Sequence, residues 1–154
     1  MKASELYDRL EQQVRALLDG ESDFVANAGN FAALIYHELA DVNWAGFYLA
    51  TPSGELLLGP FSGRPACTRI PPGRGVCGAG AAKRETLVVD DVDAFADHIV
   101  CNSASRSEIV VPILRRGELF AVFDVDSPVK ARFTDDDRAG LERLVTAFEE
   151  TGNA

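Results

Sequence analysis

The 154-residue sequence lacks several features that would place it in a special class of protein. No apolar run approaches the roughly 20 residues that a membrane-spanning helix needs. No basic cluster interrupts the formal net charge of −9, and so acidic a chain repels the phosphates of nucleic acids. The N-terminal pattern MKASELYDRLEQQ indicates an acidic amphipathic helix rather than a signal peptide. These absences predict a cytoplasmic protein with no membrane or nucleic-acid partner.

Cysteine is scarce, and its three copies follow none of the familiar spacings. Cys67, Cys77 and Cys101 are ten and twenty-four residues apart, so the C-x₂₋₄-C pairs of structural zinc sites are missing and no metal site is expected. A thioredoxin-like C-x-x-C is missing as well. All three lie in the irregular middle of the chain, away from the apolar stripes of its helices. This favours a redox-active or nucleophilic thiol, with one or two resolving partners, over a core cysteine.

What the sequence does contain is the apolar pattern of an ordinary globular domain. Two helical stripes are predicted in the first forty residues: Leu6, Leu10, Val14, Leu17 and Leu18, then Phe31, Leu34, Ile35 and Leu39. Hairpins are predicted over 42–61 and 108–127, a short strand over 86–92, and a last helix capped by Thr134. Residues 62–80 read as a loop, with a short helix starting at AGAAKR. The expected fold is α+β, with an antiparallel sheet of about six strands, terminal helices on one face, and residues 1–154 in a single domain.

Acidic side chains alternate along the last predicted strand. Asp124 and Asp126 share a face of that strand, and Glu108 opens the partner strand of the same hairpin. A solvated face is one explanation. The other is a pocket that binds a cation, or that holds an acid whose raised pKa allows it to donate a proton.

Two further patterns are candidate binding elements. Trp44 and Tyr48 are four residues apart on one strand, either as core residues or as the wall of a pocket for a cationic or sulfonium-like group. GRGVCG (73–78) matches G-x-G-x-x-G, but two prolines precede it where a dinucleotide-binding motif needs a strand. The backbone N–H groups of Gly75 and Val76, near a helix start, could instead bind a carboxylate.

Four segments of the sequence resemble the free methionine-R-sulfoxide reductases, a family of GAF domains: NWAGFYL, LLGPFSGRPACTRIPPGRGVCG, HIVCNSASRSEIVVPI and FAVFDVDSPVKARFTDDD. The resemblance covers roughly residues 40–145 and includes all three cysteines. Asn102 and Arg106 depart from the family pattern, in which aspartate and asparagine are expected. The resemblance implies a GAF-like fold and thiol-dependent reduction of free L-methionine-R-sulfoxide, without a bound cofactor.

The resemblance also implies roles for the cysteines. Cys101 would attack the sulfoxide sulfur and be left as a sulfenic acid after methionine departs. Cys67 would then close a disulfide with it, and Cys77 would be an alternative resolving thiol or a substrate-positioning residue. Thioredoxin, supplied with electrons from NADPH, is the reductant that the family resemblance implies.

The remaining implied roles concern substrate binding. Glu108, Asp124 and Asp126 would form an acidic pocket that binds the α-ammonium and protonates the departing oxygen. Trp44 and Tyr48 would enclose the methyl group and the sulfur of the substrate.

Two other functions fit the same residues. One is a GAF domain that senses a small ligand, although the chain ends soon after its last predicted helix and no output domain is expected. The other is a thiol switch that forms a disulfide without turning over a substrate. A homodimer through the N-terminal helices is a further expectation.

Overall fold

Six antiparallel strands form the single sheet of this protein, whose structure, a computed structural model, describes residues 1–99, 101 and 104–152. The strands are β1 Trp44–Ala50, β2 Leu56–Gly63, β3 Arg69–Ile70, β4 Leu87–Val89, β5 Ser107–Arg115 and β6 Glu118–Ser127. The helices are α1 Ala3–Leu18, α2 Phe24–Glu38, α3 Gly75–Lys83 and α4 Asp135–Gly152, with a 3-10 turn at Val92–Ala94. The strand order is β3-β2-β1-β6-β5-β4. The predicted α+β class and the six strands are confirmed.

None of the described helices is both long and apolar enough to cross a bilayer.

The main core lies between one face of the sheet and helices α1, α2 and α4. Successive strand residues point to opposite faces, so Phe47 of β1, Ile109 of β5 and Phe123 of β6 all face these helices and are fully buried. The predicted packing of the terminal helices on one face is confirmed. One predicted core position is wrong, because Leu17 is 45% exposed and Tyr7 is buried in the stripe of α1 instead.

Helices α1 and α4 meet through a tyrosine that lies over a glycine. The Tyr7 hydroxyl donates to Asp137 Oδ1 at 2.8 Å, and its ring covers Gly140, where a Cβ would overlap the ring. Asp137 also closes the first turn of α4, since its N–H donates to Thr134 Oγ1 at 3.2 Å and its Oδ2 accepts from Thr134 N at 2.9 Å. The predicted cap at Thr134 is therefore confirmed.

Gly140→Ala is expected to lower the free energy of unfolding by about 1–3 kcal/mol, because the added methyl group must displace a fully packed ring. Urea unfolding followed by circular dichroism measures the loss. Gly29→Ala in α2 is the matched control, since nothing lies within 4 Å of its added Cβ. Alanine is the better helix former, so that control is expected to gain up to about 1 kcal/mol. Equal effects at both sites would contradict the close-packing explanation.

The middle of the chain covers the other face of the sheet and is more regular than its sequence predicts. Helix α3 begins at Gly75, four residues before the predicted start, and β3 and the 3-10 turn were not predicted at all. Glycine has a low helix propensity, but the packing of α3 requires it at Gly78. A Cβ on Gly78 would lie 2.7 Å from the backbone carbonyl carbon of Gly73, because the chain at Gly73 folds back over the helix. Val76 and Cys77 of α3 pack against the sheet and share a buried cluster with Val110 of β5.

Candidate functional site

A small pocket lies on the face of the sheet opposite α1, α2 and α4. Strand pairing builds it: Asp126 of β6 is the register partner of both Trp44 in β1 and Glu108 in β5, so three of the predicted site residues stand side by side. The volume of the pocket is about 40 Å³. The residues lining it are Trp44, Tyr48, Pro65, Ala66, Ile70, Cys77, Cys101, Asp124 and Asp126.

A disulfide joins Cys67 and Cys101 across one side of this pocket. The two cysteines are 34 residues apart, their Cα atoms are separated by 5.4 Å, and both lie in irregular segments. The bond ties the loop after β2 to the loop before β5, and it leaves Cys77 as the free thiol. This pairing is compatible with a nucleophile and its resolving partner.

Asn102 and Arg106 are the two positions at which the sequence departs from the family pattern. Asn102 lies outside the described residues. The Arg106 N–H donates to the Ser127 carbonyl at 2.7 Å, and its guanidinium contacts the Ser105 carbonyl at 3.2 Å. Arg106 therefore helps to fix the start of β5, two residues before Glu108.

Both pocket aromatics hold the loop that carries Cys67. Trp44 Nε1 donates to the Arg64 carbonyl at 3.1 Å, and the Tyr48 hydroxyl donates to the Cys67 carbonyl at 2.8 Å. Their rings are stacked with centroids 5.9 Å apart, and the Phe61 ring stacks on Trp44 with a centroid distance of 5.3 Å. The polar atoms of both side chains thus face the loop, while the rings remain as an apolar pocket wall. Sequence spacing predicted the shared face but not this positioning of Cys67.

No basic side chain among the described residues forms an ion pair with the acids of the pocket. Asp124 is 4% exposed, and one carboxyl oxygen of Asp124 and one of Asp126 lack a hydrogen-bond partner among the described residues. Burial raises the pKa of Asp124 well above its usual value, and the negative charges of Asp126 and Glu108 raise it further. Burial and the charge of Glu108 likewise raise the pKa of Asp126. The raised pKa values favour the protonated form of these carboxyl groups, and the acidic cluster attracts cations.

Cys77 lies at the bottom of the pocket and is a poor candidate for the attacking thiol. It is buried, and its Sγ lies 3.8 Å from Glu108 Oε2. Burial raises the pKa of the Cys77 thiol, and the charges of Asp124, Glu108 and Asp126 raise it further. Since the thiolate is the reactive form, this environment keeps Cys77 protonated and unreactive.

Gly75 and Val76 are not among the residues that line the pocket. The Gly75 N–H already donates to the Asp97 carbonyl at 3.0 Å, and the Val76 side chain is buried against the sheet. Carboxylate binding by this backbone stays a prediction, and the contact with Asp97 leaves Val76 as the better donor.

Three lining residues were not predicted from the sequence: Pro65, Ala66 and Ile70. Pro65 and Ala66 lie between β2 and β3, and Ile70 is the last residue of β3, in a stretch that the sequence marks only as a loop. The position of Pro65 and Ala66 directly before Cys67 is the one available signal, because residues beside a reactive cysteine share its surroundings.

Asp124→Asn is expected to stabilise the fold at neutral and higher pH. A buried carboxyl group with a raised pKa keeps its proton in the folded state after the unfolded chain has lost it, so stability falls as pH rises through that window. An asparagine cannot ionise and avoids the loss. Thermal melts between about pH 4 and pH 8, in EDTA, should show a variant-minus-wild-type difference in Tm that grows with pH. The exposed Asp90→Asn is the control and should show no such growth.

Comparison with known proteins gives consistent similarities. The GAF domain family matches residues 29–150. The chain is 46% identical over 149 residues to the free methionine-R-sulfoxide reductase of Escherichia coli, covering 97% of this chain and 90% of that protein. The crystal structure of the free methionine-R-sulfoxide reductase from Neisseria meningitidis, in complex with its substrate, is 44% identical at a TM-score of 0.94, covering 99% and 91%. The reduced form of fRMsr from Staphylococcus aureus is 43% identical at a TM-score of 0.91, covering 95% and 94%.

Proposed function

The chain belongs to the free methionine-R-sulfoxide reductases, a family of GAF-domain proteins, and on this premise we propose how its own residues reduce free L-methionine-R-sulfoxide to L-methionine. The observation that carries the proposal is that one pocket brings together Cys101 and the acids Asp124 and Asp126. Cys101 is in turn within bonding distance of a second cysteine. A single domain therefore holds both thiols and the acids that the reaction needs.

The chemistry balances with two thiols and one external reductant. The sulfur of Cys101 attacks the sulfoxide sulfur and takes over its oxygen, which releases methionine and leaves a sulfenic acid on Cys101. The sulfoxide gains two electrons, and the thiol loses them. The Cys67 thiol then attacks the sulfenic sulfur, water leaves, and the Cys67–Cys101 disulfide forms.

The acids supply a proton and a counter-charge. Oxide is a poor leaving group, so the sulfoxide oxygen must be protonated as its bond to sulfur breaks. Asp124 and Asp126 line the pocket with raised pKa values, and a protonated carboxyl group there is a suitable general acid. The ionised member of the cluster, with Glu108 beside it, pairs with the α-ammonium of a free amino acid.

The aromatic wall explains the fit to the rest of the substrate. The stacked rings of Trp44 and Tyr48 present an apolar surface to the methyl group and the sulfur. The Cys67–Cys101 disulfide closes one side of this pocket, so we assign the disulfide form to the enzyme after product has left. Reduction of the disulfide frees the loops on either side and allows the next substrate to enter.

The remaining parts of the proposal concern the surroundings of the enzyme. The disulfide must be reopened by a dithiol, for which we propose thioredoxin, and such a cycle fits the reducing conditions of the cytoplasm. No prosthetic group takes part in these steps. A homodimer through the N-terminal helices α1 and α2 is the proposed assembly, and light scattering on the purified protein tests whether the dimer forms.

Coupled oxidation of NADPH, with thioredoxin and its reductase, tests the activity. Each epimer of free methionine sulfoxide is supplied separately, and the expected result is turnover of the R epimer alone. If the protein is folded and neither epimer increases the rate of NADPH oxidation, the reductase function is overturned and a ligand sensor is favoured. Disulfide formation driven by peroxide alone would favour a thiol switch.

A further inference from the structure

Three potential metal ligands converge beneath the substrate pocket. Cys77 of α3, Glu108 of β5 and Asp124 of β6 are all buried, and one ligand atom from each lies within 4.8 Å of the other two. The pair Cys77 Sγ and Glu108 Oε2 is separated by 3.8 Å. Three different elements supply these residues, so the sheet and the helix fix the arrangement before any ligand arrives.

An unpartnered carboxyl oxygen shows that this cluster can accept a cation. Oδ1 of Asp124 is buried and has no hydrogen-bond partner among the described residues, on a side chain that is only 4% exposed. A buried carboxyl oxygen without a partner is costly, and a cation would satisfy it. The pocket that Asp124 and Cys77 line has a volume of about 40 Å³, above the roughly 10–15 Å³ that one water molecule needs, so an ion and a water ligand can fit there.

The ligand set selects the class of metal. A thiolate with two carboxylates suits borderline divalent ions such as Zn²⁺ and Co²⁺, whereas Ca²⁺ takes six to eight oxygen ligands and Mg²⁺ requires an octahedron of them. Zinc–sulfur and zinc–oxygen bonds of about 2.3 and 2.0 Å at a tetrahedral angle place the two ligand atoms about 3.5 Å apart. The observed 3.8 Å between Cys77 Sγ and Glu108 Oε2 needs an adjustment of only a few tenths of an ångström.

We propose that Cys77, Glu108 and Asp124 bind one borderline divalent transition-metal ion, with water as the fourth ligand, and that the bound ion blocks the enzyme. The ion occupies the acids that otherwise pair with the substrate's ammonium group, so metal and substrate exclude each other. The metal site stands without the proposed function, while the inhibition rests on it. The site also gives the buried thiol of Cys77, which lies outside the disulfide, a role that neither step of the sulfoxide reaction provides.

Cobalt binding to the oxidised protein tests the site. The sequence has three cysteines, so once Cys67 and Cys101 form their disulfide, Cys77 is the sole thiol. A thiolate bound to Co²⁺ gives a charge-transfer band in the near ultraviolet, and tetrahedral Co²⁺ gives intense visible bands. We expect both to saturate at one equivalent and to disappear when Zn²⁺ is added.

Variants assign the bands to the three residues. Cys77→Ser should lose the charge-transfer band, and Glu108→Gln should bind Co²⁺ at least about tenfold more weakly. The exposed Asp90→Asn is the control and should titrate like the wild type. Circular dichroism and the intact disulfide establish that each variant is folded. Absence of the band in the wild type, or its persistence in Cys77→Ser, would overturn the site.

Inhibition is tested separately on reduced, desalted enzyme in a single turnover. Zn²⁺ should raise the substrate concentration needed for half-maximal rate without changing the maximal rate, and EDTA should reverse the effect. Whatever its own rate, Cys77→Ser should need about 100-fold more Zn²⁺ for half-inhibition. Equal sensitivity of both proteins would place the inhibiting ion on Cys67 and Cys101 and overturn the blocking role. A cobalt band in a protein with no reductase activity would contradict the proposed function and leave the metal site standing.

Discussion

Cys101→Ser is expected to lower the turnover of free methionine-R-sulfoxide by at least about three orders of magnitude. Serine keeps the size of the side chain but is a far weaker nucleophile at neutral pH, and removal of a catalytic nucleophile has effects of this scale or larger. Cys101 lines the pocket beside Asp124 and Asp126. Methionine released in a single turnover, measured by chromatography, is the direct readout because it needs no external reductant.

Cys67→Ser is the matched control, since it removes the other half of the same disulfide. Even with thioredoxin and its reductase present, this variant should release about one equivalent of methionine per enzyme and then stop, with a sulfenic acid on Cys101 that dimedone traps. Sustained turnover by Cys67→Ser would contradict the resolving role of Cys67. Release of methionine by Cys101→Ser at the wild-type rate would contradict the role of Cys101 as nucleophile.

Acetylation of the substrate's amino group is expected to lower kcat/KM of the wild-type enzyme by about 10²- to 10³-fold. The acetyl group removes the positive charge, which leaves the buried acids of the pocket without a partner and costs about 3–4 kcal/mol. Methionine sulfoxide within a protein chain also lacks a free ammonium group and should be a comparably poor substrate.

A second variant separates charge recognition from simple lack of space. Asp124→Asn should react slowly with the free amino acid, yet the penalty for acetylation should shrink, because less negative charge is left unpaired. If the pocket excludes the acetyl group only by size, wild type and variant will show the same penalty. The thermal melts of Asp124→Asn described above show whether unfolding contributes to its lower activity.

Much of the fold follows from local patterns in the sequence. The alternation of Asp124 and Asp126 with Phe123 and Val125 predicts a strand with one apolar and one acidic face, and the sheet places helices on the first and the pocket on the second. Threonine three residues before Asp137 predicts the start of α4. Because these features depend on residues close together in the chain, the sequence alone is sufficient to predict them.

The rest depends on the path of the backbone, which residue types do not encode. Trp44 and Tyr48 donate to carbonyl groups of the Cys67 loop, and every residue offers such a group, so no sequence signal marks the contact. Helix α3 was predicted too late because its glycines disfavour helix locally, while their lack of side chains is what allows Gly73 to pack over Gly78. The meeting of Cys77 with Glu108 arises from tertiary packing across 31 residues.

The position of Trp44 gives this protein an optical signal of its own. It is the single tryptophan of the chain, and it lines the same pocket as Cys101 while holding the loop of Cys67. A disulfide close to an indole quenches its fluorescence, so each opening and closing of the Cys67–Cys101 bond should change the emission intensity. The catalytic cycle could then be followed in real time by stopped-flow fluorescence, without a label, a coupling enzyme or a modified substrate.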